Sequence, residues 1–113
     1  MAHEVSAESG ESEPVERPEQ GARLLVRLID QTEGAATYAV ALATRGAAWE
    51  GQACVRESEG AVDVSAWTPA APPAWLAQGM HALLRSAWQR RRAGHPWPRR
   101  LARWRPSPDE AEA

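Results

Sequence analysis

From Arg23 to Thr68 the chain repeats one device four times: a run in which every second residue is apolar, then a short turn. Period-two patterning is the signature of a strand with two different faces. Leu24, Val26 and Leu28 alternate along about 23–30, and Tyr38, Val40 and Leu42 along about 36–45. Trp49, Ala53 and Val55 do so along about 48–57, and Val62 and Val64 along about 61–68. The turns Glu33-Gly34, Gly46 and Ser58-Glu59-Gly60 are too short for a crossover, so neighbouring strands must be antiparallel. A four-stranded meander follows.

The prolines Pro69, Pro72 and Pro73 then interrupt any ladder. A helix is predicted over about 73–93, with Pro73 at its start, Gly94 as its stop and Pro96 beyond. Leu76, Met80, Leu83, Leu84 and Ala87 share one side of it, and Gln78, Arg85, Gln89 and Arg92 the other. Pro98 to Trp104 reads as a short helix with Leu101 and Trp104 on one side. The class is α+β: an antiparallel sheet with one long helix packed on one face.

The sheet's second face is less easily placed. It is expected to carry Leu25, Ile29, several alanines, Cys54 and Trp67 beside Arg27, Glu50, Gln52 and Arg56. That is less polar than a face wholly open to water. The expectation is that the segment from Trp97 to Trp104 wraps onto it. Two alanine-rich faces could also approach closely enough for a homodimer.

Charge divides the chain. Residues 1–20 hold Glu4, Glu8, Glu11, Glu13, Glu16 and Glu19 against Arg17 alone, and are expected to form a disordered acidic tail. A shorter tail is expected over 107–113. Between them, residues 21–106 carry twelve arginines and six carboxylates, with no lysine. Eight of those arginines lie between Arg85 and Arg105, a stretch without an acid and interleaved with Trp88, Trp97 and Trp104.

Several chemistries find no support. The three histidines and Cys54 lack metal-ligand spacing, and no cofactor is implied. There is no Gly-rich phosphate loop, and the carboxylates fall on turns and solvent-side positions without an acid/base pair. Cys54, mid-strand, reads as a buried structural thiol. No apolar run is long enough for a transmembrane helix, and the acidic start is unlike a secretory signal, so cytoplasmic location is expected.

Arginine beside tryptophan suits an acidic protein surface, and both residues are enriched at interface hot spots. The same pair suits single-stranded nucleic acid, where Arg tracks phosphates and Trp stacks on bases. Four strands then one helix is also the order of some single-strand-binding regulators, an analogy of topology without a shared motif. The first reading is a non-catalytic adaptor or regulatory protein docking on another protein. Its partner-binding set is Arg85, Gln89, Arg92, Trp97, Arg99, Arg100, Arg103, Trp104 and Arg105. Nucleic-acid binding through the same residues is the alternative. On either reading the tryptophans could instead be core anchors.

Overall fold

A computed structural model describes residues 17–108. The expected acidic tail lies outside them over residues 1–16, as do residues 109–113 of the C-terminal one. The elements are β1 (Ala22–Thr32), β2 (Ala35–Thr44), β3 (Ala48–Arg56), β4 (Val62–Thr68), α1 (Ala74–Arg92) and β5 (Arg100–Arg105). The architecture is α+β, an antiparallel sheet in the order β4-β3-β2-β1-β5 with one helix. The expected meander forms its first four strands.

The fifth strand replaces the expected short helix. Arg100–Arg105 pairs antiparallel with β1, from Arg27 opposite Arg100 to Ala22 opposite Arg105. Leu101 and Trp104, expected on one side of a helix, therefore stand on opposite faces of the sheet. Two causes favour the strand. A seven-residue helix gains few hydrogen bonds after a costly nucleation. Meanwhile β1 would otherwise leave a row of backbone donors and acceptors unpaired along its edge.

The core lies between sheet and helix. Leu24, Val26, Tyr38, Val40, Leu42 and Val55 meet Leu76, Met80, Leu83, Leu84 and Ala87, all buried. Leu28, Val62 and Val64 pack at its margin, so the alternating residues Leu24, Val26, Leu28, Tyr38, Val40, Leu42, Val55, Val62 and Val64 all turn to the helix. The helix crosses the sheet obliquely. Its first half comes close to β1 and β5, where a Cβ on Gly79 would lie 3.1 Å from Leu24 and 3.0 Å from the Arg105 stem. Its last turns reach the β3–β4 turn, where Trp88 Nε1 donates to the Glu57 carbonyl at 2.8 Å. Arg90, Arg91 and Arg92 occupy the last turn, where cations suit the helix dipole.

Trp67 departs from the expected face. The β3–β4 register shifts between Glu50 and Gln52, and Ala66 takes a φ of 59°. One extra residue reverses the alternation beyond it. Trp67 thus turns to the helix side and lies over Gly51, where an added Cβ would be 2.8 Å from the ring. Only glycine leaves room for an indole at that point.

Candidate interaction surface

The nine residues expected to form one binding surface fall into three places. Arg85, Gln89 and Arg92 are exposed on the last turns of α1. The guanidinium carbons of Arg85 and Arg92 each lie 5.3 Å from the Trp88 ring centroid. Trp88 itself is buried and sits against Gly60, whose φ is 72°. Arg91 joins this corner through its Nε, 3.2 Å from Glu57 Oε2. The two arginines therefore cover a core tryptophan, a contact between cation and ring face that accounts for their positions structurally.

Trp97 belongs to the core. It is 3% exposed and meets Tyr38 edge-on, with ring centroids 6.5 Å apart at 69°. The Tyr38 hydroxyl donates to the Pro98 carbonyl at 2.7 Å. A buried residue cannot greet a partner, so Trp97 leaves the binding set. Together Trp97 and Pro98 hold the chain on the helix side of the sheet. The expected wrapping of this segment over the second face does not occur. The chain instead widens that face by adding a strand at its edge.

Arg99, Arg100, Arg103 and Trp104 are exposed at that edge, and Arg105 is half-buried. Register divides them. Arg103 and Arg105 lie on the helix side, opposite Leu24 and Ala22, with the Arg105 stem against Gly79. Arg100 and Trp104 lie on the open face, opposite Arg27 and Arg23. Trp104 is 50% exposed and is the one exposed large hydrophobic side chain among the described residues. Its Nε1 donates to the Gln20 carbonyl at 2.9 Å, and one part of its ring covers Gly21. Arg100 and Trp104 are thus separated by the sheet from the helix-end arginines, and the nine residues do not share one face.

The open face has a shape of its own. A concavity of about 190 Å³ is bordered by Leu25, Arg27, Ala41, Glu50, Gln52 and Thr68. Small-molecule pockets usually measure about 300–1,000 Å³, so this one suits a single side chain better than a cofactor. Leu25 is 4% exposed although it points away from the helix. Cys54 is half-buried on the same face, more accessible than the buried thiol expected. Basic charge gathers at the β1–β5 end through Arg23, Arg27 and Arg100. Glu50 and Asp63 stand toward β3 and β4, where Asp63 Oδ2 lies 3.3 Å from Arg56.

Arg23 and Arg27 were not among the expected site residues. Their role depends on which strand lies beside β1, and no local pattern in the sequence encodes that neighbour. Among the described residues, no group of three or more His, Cys, Asp or Glu side chains could hold a metal ion. None of their helices is long and apolar enough to cross a membrane. The chain matches no protein-family model, no curated protein and no solved structure.

Proposed function

We propose that this protein is a non-catalytic, cytoplasmic docking module that seats an acidic surface of another protein against the β5 edge. Arg99, Arg100 and Arg103 supply the charge and Trp104 the anchor. The observation that carries the reading is the half-exposed Trp104, set among arginines on a strand that ends the sheet. An exposed indole beside guanidinium groups has the composition of an interface hot spot. Arginine on an edge strand also discourages pairing with a second copy, which favours a different partner over a homodimer joined at this edge.

Single-stranded nucleic acid fits less well. Strand-tracking grooves offer successive aromatic platforms for successive bases. Of the three tryptophans in the Arg-rich stretch, Trp88 and Trp97 are buried and only Trp104 remains.

The test is affinity purification from native cells with the wild-type chain and with an Arg99→Ala, Arg100→Ala, Arg103→Ala variant. A partner retained by the first and lost by the second, at unchanged circular dichroism, is the expected result. Equal retention by both would refute the site. Steep salt-dependent binding of a labelled single-stranded oligonucleotide, without a protein partner, would establish the other reading.

A further inference from the structure

We infer that the partner enters as a strand: an extended acidic segment of another protein that pairs antiparallel with the outer edge of β5. The inference rests on the docking reading above and names the form in which that partner binds. Three observations lead to it.

The first is which backbone groups β5 turns outward. Its register sets Leu24 opposite Arg103 and Val26 opposite Leu101, and the Leu28 N–H donates to the Arg99 carbonyl at 2.8 Å as the next pair but one. Hydrogen-bonded and non-hydrogen-bonded pairs alternate along an antiparallel ladder. Arg99, Leu101 and Arg103 therefore exchange bonds with β1, while the N–H and carbonyl groups of Ala102 and Trp104 point away from it. Both residues are exposed, and neither makes a further backbone hydrogen bond among the described residues. An incoming strand meets donors and acceptors already in line.

The second is the contrast between the two edges of the sheet. At β4 the register shifts between Glu50 and Gln52, Ala66 takes a φ of 59°, and Asp63 lies 3.3 Å from Arg56. Bulges and charges of that kind blunt an edge against pairing. The β5 ladder runs from Arg100 to Arg105 without a shift.

The third is the order of side chains along the edge. Arg99, Leu101 and Arg103 share its helix side. Arg99 and Arg103 are exposed and form no ion pair among the described residues, and Leu101 between them packs against the core. Residues directly across a ladder pair by opposite charge or by apolar contact. The matching segment therefore reads acid-x-apolar-x-acid, its acids about 13 Å apart at strand rise. A second copy brings its own arginines to this edge, so charge selects an acidic strand over self-pairing.

The experiment uses the full chain at low salt. Fluorescence anisotropy follows a labelled Thr-Glu-Thr-Val-Thr-Glu-Thr peptide and two N-methylated versions of it. In the paired strand the threonine N–H groups face β5, and those of glutamate and valine face solvent. Methylating the two inner threonines should weaken binding at least roughly tenfold, and methylating the valine and the second glutamate should change it less than about twofold. Ala102→Pro removes an outward donor and no bond to β1, so it should also weaken binding roughly tenfold at unchanged circular dichroism. Should that variant lose its fold, the peptide series decides alone. By hydrogen exchange, the Ala102 and Trp104 amides should exchange fast in the free chain and slowly with peptide bound. Equal affinity for all three peptides, lost in an Arg99→Ala, Arg103→Ala variant, would overturn strand addition and keep the docking reading. Absence of peptide binding would also overturn it, while the affinity purification judges the docking reading separately. Slow exchange of both amides without peptide would overturn it in favour of a resident strand, from a second copy if the mass in solution doubles and from the chain's own ends if it does not.

Discussion

Tyr38 joins the central strand to the segment that delivers β5, and its phenol is the group through which pH should act on stability. The side chain is fully buried, and its hydroxyl donates to the Pro98 carbonyl at 2.7 Å. Burial pushes its pKa from the ordinary 10.0 up to about 12. A raised pKa means that the folded state keeps the proton after the unfolded state has lost it. Its contribution is therefore complete below about pH 10 and is lost as pH climbs through the folded value. A shift of that size corresponds to about 2–3 kcal/mol lost between pH 10 and 12. In Tyr38→Phe no proton is held, and the missing hydrogen bond costs about 1 kcal/mol at neutral pH. For a domain this small that is a Tm lowered by roughly 4–8 °C. The two stability curves should thus start with the wild type ahead and cross above pH 10, because the other titrating groups are common to both. Urea unfolding followed by circular dichroism at several pH values measures this. The chain's single tyrosine allows the tyrosinate absorption band to report its titration directly. A phenol titrating near 10 in the folded protein, or curves that stay parallel to pH 12, would refute the reasoning.

Gly60→Ala should destabilise by about 2–3 kcal/mol, since it forces a side chain into a positive φ and sets a Cβ 2.7 Å from the Trp88 ring. A change below about 0.5 kcal/mol by urea unfolding would mean that the β3–β4 turn does not need that conformation. Trp97→Ala should cost about 3–5 kcal/mol, whereas Trp104→Ala should cost about 1 kcal/mol or less and weaken partner binding. Similar losses of stability at both positions would contradict the division of the two indoles between core and surface.

Much of this fold was legible because its long elements keep one period. Ten or so residues of alternation, or five turns of a helix with its apolar residues on one side, leave little choice of partner face. Legibility failed where a single residue decides. The spacing of Leu101 and Trp104 fits a helical turn, and the alternation of Leu101 and Arg103 with Ala102 and Trp104 fits a strand equally well. Six residues cannot discriminate between the periods. The exposed edge of β1 decides it, and that edge exists only once the meander has formed. Trp67 was misplaced because the bulge at Ala66 reverses its face, and no common bulge residue such as glycine marks the spot. The nine candidate site residues share a stretch of sequence without sharing one surface, for a related reason. Nearness in sequence from Arg85 to Arg105 is not nearness in space. The helix carries the first of these arginines across the sheet before the chain returns to add β5 at the opposite edge.

That return determines how the candidate site is held. β5 is fixed at one end by Trp97 in the core and by the Tyr38 hydroxyl on Pro98, and at the other by Trp104 on the Gln20 carbonyl. Both side-chain hydrogen bonds run from an aromatic ring to backbone, yet they are unequal. Tyr38 is buried, so its bond is protected from water and holds the strand in register. Trp104 is half-exposed, so its bond competes with solvent and is the weaker of the two. A partner that grips the indole therefore acts on the end of β5 where the strand is easiest to disturb. It is also the end where the acidic stretch joins the fold. Engagement of Trp104 and loosening of its bond to the Gln20 carbonyl are consequently expected to be linked, each easing the other by the same factor.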